Sequence, residues 1–201
     1  MNHKPARRSQ LLAIASIVGL ACIPLCLAPA APADAAVAAR HASEPALTAI
    51  APGTSLGSFL NYFSGLCLGI SGGLDHAPAV QFTCLNHPDQ KWSVGQTDES
   101  GYYQIINGDG QCLGVQSGSA ATDARVVAWT CEGPSHPDQY WYIDTGLQCG
   151  GEPYYPIFNQ NSGDVVGVSG NSLSSGAAVV QWPWQDQCNN QEWIATSGAF
   201  G

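Results

Sequence analysis

Between residues 55 and 198 the apolar positions come in short runs, broken by clusters of Gly, Asn, Asp and Ser, and no segment keeps a helical period. Short apolar runs bounded by turn formers read as strands. The pattern is clearest mid-chain, where it predicts strands at about 102–106, 112–115, 125–130 and 140–143. It returns three times, each time ending on a Gln-x-Trp triplet: Gln90-Lys91-Trp92, Gln139-Tyr140-Trp141 and Gln191-Glu192-Trp193, spaced by 49 and 52 residues. A unit recurring at this period is a supersecondary piece that cannot bury its apolar face alone, so the copies share a core. Repeats at about 55–98, 99–147 and 148–197 are therefore read as one domain over 55–198.

Composition agrees with an all-β class, since only 10% of the residues are charged, 23 are glycine and one is methionine. Three units are too few for a propeller of kelch type. A threefold barrel capped by hairpins, the β-trefoil, closes with three and leaves no long free edge strand.

Aligned on their tryptophans, the units match Cys67-Leu68-Gly69-Ile70 with Cys112-Leu113-Gly114-Val115 and Val165-Val166-Gly167-Val168. A second equivalent strand follows at Val80-Gln81-Phe82-Thr83-Cys84, Val127-Ala128-Trp129-Thr130-Cys131 and Val180-Gln181-Trp182-Pro183-Trp184. The third unit loses both cysteine positions together, as a bonded pair requires. Cys67 is thus expected to pair with Cys84 and Cys112 with Cys131, leaving Cys149 for Cys188. Each bridge would contribute roughly 2 to 4 kcal/mol, largely through the unfolded chain. No Cys-x-x-Cys occurs, and His76, His87 and His136 stand at no ligand spacing to a cysteine pair, so neither metal nor cofactor is expected.

Lys4, Arg7 and Arg8 precede an apolar stretch at 11–27 and a small-residue segment at 28–38. This order reads as a secretory signal over residues 1–38, cut between Ala33 and Ala38, with 39–54 as a flexible leader. A membrane anchor fits less well, because Pro24 and the fall into Ala and Pro come early and no basic stop-transfer cluster follows. Twin-arginine export and a lipid anchor on Cys22 are weaker alternatives. The cysteines Cys22 and Cys26 fall inside the signal, and the remaining six suit an oxidising, extracellular compartment. After Arg40 the chain has Lys91 and Arg125 against 14 acidic residues. Such a surface cannot neutralise a phosphate backbone or hold anionic lipid. Nucleic acid and membrane are therefore excluded as partners of the exported part.

From about 58 to 195 the ordered recurrence of cysteine pair, hydrophobic strands and Gln-x-Trp resembles the ricin B-chain type lectin repeat. The resemblance implies a carbohydrate-binding module with one shallow pocket per unit, suited to galactose- or xylose-type glycans. A sugar offers an apolar face of C–H bonds and a rim of hydroxyls, which calls for an aromatic platform and polar side chains. The resemblance assigns the platform to Phe82, Trp129 or Trp182, and the polar contacts to Asp89 with Gln90, Asp138 with Gln139, and Asn190 with Gln191. Trp92, Trp141 and Trp193 are read as core, and the matching glutamines as ties for turns as well as ligand contacts. By residue chemistry the third unit ranks first, with Trp184 adding apolar surface, then the second, then the first.

Two departures stand out. Sugar-binding members often carry an aspartate two residues after the first cysteine, where the three units have Gly69, Gly114 and Gly167. Gln81 and Gln181 adjoin the platform aromatic, so on an ideal strand they point to the opposite face. Rival functions are an enzyme, disfavoured by scattered acids and the absence of a nucleophile elbow, and a protein-binding trefoil such as a protease inhibitor or accessory subunit of a secreted enzyme. The missing aspartates favour the second of these.

Overall fold

The Gln-x-Trp tryptophans decide where the core sits. In the computed structural model Trp92, Trp141 and Trp193 are 2%, 0% and 0% exposed. Their indole N–H groups donate to the carbonyls of Leu68 (3.2 Å), Leu113 (2.8 Å) and Val166 (2.9 Å). A buried indole needs such a partner, and each ring then removes roughly 4 to 6 kcal/mol worth of surface from water, an upper bound. The structure describes residues 50–185 and 188–197. The expected signal at 1–38, Cys22 and Cys26 within it, and the leader up to residue 49 lie outside the described residues.

The first unit supplies β1 (Ser55–Gly57), β2 (Phe59–Asn61), β3 (Cys67–Ile70), β4 (Ala79–Phe82) and β5 (Trp92–Thr97). The second supplies β6 (Tyr103–Asn107), β7 (Cys112–Val115), β8 (Val126–Trp129) and β9 (Trp141–Ile143). The third supplies β10 (Leu147–Cys149), β11 (Glu152–Tyr154), β12 (Ile157–Asn159), β13 (Val165–Val168), β14 (Val179–Trp182) and β15 (Trp193–Ala195).

Three hairpins, β3–β4, β7–β8 and β13–β14, share one register: Cys67 faces Phe82, Cys112 faces Trp129 and Val165 faces Trp182. Antiparallel pairs β5–β6, β9–β12 and β15–β2 join the first unit to the second, the second to the third and the third back to the first. This closed threefold arrangement is the β-trefoil. Single bridges Pro78–Val127, Arg125–Val180 and Val80–Ala178 tie each hairpin to the next. Around the tryptophans the core is filled threefold by Leu68, Leu113 and Val166, and by Ile70, Val115 and Val168.

All three disulfides form as expected: Cys67–Cys84, Cys112–Cys131 and Cys149–Cys188, spanning 17, 19 and 39 residues. Two features were not read from the pattern. Ile50 packs against the core, Gly53 N–H donates to Val94 O and Val94 N–H donates to Thr54 O, so the chain is docked on the barrel before β1 begins. The hairpin β10–β11 is an addition to the third unit that brings Cys149 to Cys188.

Candidate functional site

Behind each platform aromatic lies a Gln-x-Trp glutamine with both ends of its amide engaged. Gln90 accepts from Leu85 N–H (2.7 Å) and donates to Thr83 O (3.0 Å). Gln139 accepts from Glu132 N–H (2.9 Å) and donates to Thr130 O (3.1 Å). Gln191 accepts from Gln185 N–H (2.8 Å) and donates to Pro183 O (3.0 Å). All three are buried. They hold the loop after the platform strand, because a buried amide without partners would cost about 1 to 3 kcal/mol.

The glycines in place of the expected aspartate pack closely against the Gln-x-Trp glutamines. A Cβ on Gly69 would stand 2.9 Å from Gln90 Cγ and 3.0 Å from Asp89 Oδ2. On Gly114 and Gly167 it would stand 3.1 Å from Cγ of Gln139 and of Gln191. The Gln-x-Trp turn lies directly on the strand, and the residue before the glutamine uses that closeness. Asp89 accepts from Ile70 N–H at 3.3 Å, while the Asn190 amide donates to Val168 O. Burial raises the pKa of Asp138 against the lowering pull of its own backbone N–H and of His136, and Glu132 adds to the rise.

Each platform also receives the hairpin tip of the preceding unit. His76 N–H donates to Ala128 O, Asp123 N–H to Gln181 O and Gly176 N–H to Gln81 O, all at 2.8 to 2.9 Å. In return Ala128, Gln181 and Gln81 donate to the carbonyls of Ala77, Ala124 and Ala177. All three tip residues have positive φ, at 69°, 65° and 84°. A left-handed residue in this exchange sets its side chain beside the next unit's aromatic, and the three side chains differ completely.

Over the second platform, the His76 ring stacks on Trp129 with centroids 3.5 Å apart and planes 9° from parallel. Asp75 locks the contact by accepting from Thr130 N–H (2.6 Å) and Thr130 Oγ1 (3.1 Å). The third platform stays open: Trp182 is 39% exposed in a groove of about 390 Å³ whose walls include Asp123, Ser169, Asn171, Gln185 and Asn190. Phe82 is 43% exposed in a groove of about 330 Å³ with His87, Asp89 and, from the second unit's β6–β7 turn, Asp109. No tip side chain reaches it, because Gly176 has none.

Gln81 and Gln181 point inward, as strand alternation requires, and are fully buried. Gln81 donates to Ser172 O and Ser174 O and accepts from Ser64 Oγ; Gln181 donates to Ser119 O and Ala121 O and accepts from Ser162 Oγ. They tie a tip to the platform strand it serves, a role Ala128 cannot fill in the second unit. Trp184, expected to widen the third site, instead meets the edge of Phe158 at 6.0 Å and does not line the groove.

The tip residues and Asn61, Asn107 and Asn159 were not singled out from the sequence. Asn61 and Asn159 donate to Asn190 O and Asp138 O, and all three side-chain carbonyls accept from their own turns. The repeat alignment contains this asparagine signal. Among the described residues, no group of three or more His, Cys, Asp or Glu is placed to hold a metal ion.

Residues 55–193 match the family model of the ricin-type β-trefoil lectin domain. The chain is 26% identical to ThreeFoil, a designed threefold symmetric protein, covering 68% of this chain and 94% of that one with a TM-score of 0.60. It is 25% identical to 1,3Gal43A, an exo-β-1,3-galactanase from Clostridium thermocellum, covering 72% of this chain but only 30% of the enzyme, with a TM-score of 0.62. A Macrolepiota procera ricin B-like lectin in complex with lactose shares the fold at 19% identity and a TM-score of 0.58, covering 73% of this chain and 97% of that one. No curated protein sequence is significantly similar.

Proposed function

The chain belongs to the ricin-type β-trefoil lectin family, and from that premise we propose that it is a secreted, non-catalytic carbohydrate-binding protein whose principal site is the groove of the third unit. The observation that carries this reading is the exposed Trp182 face, set among polar groups that donate and accept. An indole face takes the C–H face of a pyranose, and Asn171, Gln185 and Asn190 offer amides to its hydroxyls. The groove around Phe82 is the second site, with Asp89 and Asp109 as its polar partners. The second unit is closed by His76.

In this reading Gln90, Gln139 and Gln191 act through the loops they hold, and Asp138 with Trp129 takes no ligand. Export uses residues 1–38 as a signal. Galactose- and xylose-type glycans are the proposed ligands, and two weak sites on one molecule would gain affinity on a polyvalent surface through effective concentration.

The test is retention of the purified protein on a glycan array, galactose resin and insoluble xylan, with Trp182→Ala and Trp129→Ala alongside. Binding weakened by Trp182→Ala, with the Phe82 groove retaining the remainder, and kept in full with Trp129→Ala is expected. Retention on no sugar would overturn the lectin reading, whereas retention indifferent to Trp182→Ala would overturn only the choice of site.

A further inference from the structure

We infer that Asp123, carried into the third groove by the hairpin tip of the second unit, is the carboxylate that accepts sugar hydroxyls there. It does the work that the glycine at position 167 leaves undone, and its presence sets which sugars the groove takes. The inference rests on the reading of the third groove as a sugar site and deepens it.

Position 167 is a glycine packed against Gln191, and a Cβ there would stand 3.1 Å from Gln191 Cγ, so an acid at this point would need the glutamine to give way by a few tenths of an ångström. A pocket with glycine at this point takes its carboxylate from a neighbouring element. Asp123 is such a residue. It lines the groove with Trp182, and among the described residues its carboxylate forms neither a hydrogen bond nor an ion pair. Its placement is fixed from both sides by main chain, because Asp123 N–H donates to Gln181 O and Gln181 N–H to Ala124 O, both at 2.9 Å. The buried Gln181 amide holds the same tip through Ser119 O and Ala121 O. A φ of 65° suits Asp better than most residues with a Cβ, so the acid stands there at little strain.

A carboxylate only accepts, so it selects partners that donate. The two oxygens match two adjacent hydroxyls on one sugar edge. They repel a uronate or sialate carboxylate. The ligand class is thus a neutral sugar with a free vicinal diol, lying on Trp182 and edged toward Asp123. The equivalent tip positions carry no such group: His76 occupies the face of Trp129, with the neighbouring Asp75 engaged by Thr130, and Gly176 presents nothing to Phe82.

Two substitutions keep the tip backbone, because Asn and Gly both accept a left-handed φ: Asp123→Asn and Asp123→Gly. The measurement is calorimetric titration of the purified protein with whichever neutral sugar the array retains, and with its uronate counterpart, alongside Trp182→Ala. Thermal melting checks the fold. The expected result is a loss of about tenfold or more for the neutral sugar in both Asp123 variants, as for a lost charge-assisted hydrogen bond. In Asp123→Asn the preference for neutral over uronate sugar should also shrink. Neutral-sugar binding unchanged in both variants, while Trp182→Ala weakens it, overturns the role of Asp123 and leaves the lectin reading standing. Binding that is unchanged by Trp182→Ala as well places the sugar elsewhere and also overturns the inference. Retention on no sugar by the wild-type protein ends the lectin reading and this inference together.

Discussion

The second and third units place a tryptophan at the same point of the same hairpin register, yet one indole lies under a histidine and the other faces an open groove. Cys112–Trp129 and Val165–Trp182 are equivalent pairs. The difference comes from outside both units, in the tips that carry His76 and Asp123. In a threefold barrel each pocket is built by two consecutive units. A tip can therefore change while the platform, the Gln-x-Trp turn and the core stay as they are. Divergence of function among repeats needs no change in the shared core, only in residues that cross a unit boundary.

The strongest way to break the contrast is to cut the tie between tip and platform. Gln181→Ala removes a fully buried amide with three partners, Ser119 O, Ala121 O and Ser162 Oγ. The groups left behind and the cavity should cost about 3 kcal/mol. Melting is expected to fall by roughly 6 to 12 °C, and sugar binding with it. The second unit already has Ala128 here and holds its tip by Asp75 and the His76 stack instead. An unchanged melting temperature would show that main-chain bonds alone hold the tip.

Next in size is the platform itself. If the open indole carries a hot-spot share of the binding energy, Trp182→Ala should weaken sugar binding by about 2 kcal/mol, roughly 30-fold. Trp129→Ala should leave binding within twofold of wild type, since His76 already covers that ring. Titration of both variants with one sugar settles which of the two faces works; equal losses would dissolve the distinction.

Much of this was legible in the chain because repeats test one another. The joint loss of Cys67 and Cys84 equivalents at Val165 and Trp184 gave the disulfides, and the Gln-x-Trp tryptophans were rightly read as core. The inward direction of Gln81 and Gln181 followed from strand alternation. The tips were not legible. His76, Asp123 and Gly176 have no side chain in common; they share a positive φ and a pair of main-chain bonds to the next unit, neither of which needs a particular residue type. The glycines at 69, 114 and 167 were read as an absent acid, whereas the structure gives them a packing task against the glutamines.

His76→Gly sharpens the comparison at a smaller energy. The stack is worth about 0.5 to 1.5 kcal/mol, and a non-glycine residue at φ 69° carries a strain of similar size. The two terms offset, so melting should move by only a degree or two. Trp129 should nevertheless become open to solvent, seen as increased acrylamide quenching relative to wild type. A large drop in melting temperature would mean that the histidine holds the hairpin as well as covering the ring.

The smallest effect lies at the residue before each glutamine, where the second unit has Asp138 and the third Asn190. Burial sets the folded-state pKa of Asp138 above its unfolded value, so folding favours the neutral acid. The penalty for the charged form is therefore absent below the unfolded pKa of about 3.9. It grows as pH rises through the folded value, and is complete above it. Asp138→Asn removes that penalty and supplies the donor that Asn190 already directs to Val168 O. At neutral pH the variant should be more stable by a few tenths of a kcal/mol, since the half-exposed group is screened by water. Below about pH 3 the pKa part of the gain should vanish, because both acids are then neutral in folded and unfolded chains. Melting curves of the two proteins from pH 3 to 7 would show the difference opening with rising pH; a difference that opened toward acid would mean that Asp138 is stabilised as the anion.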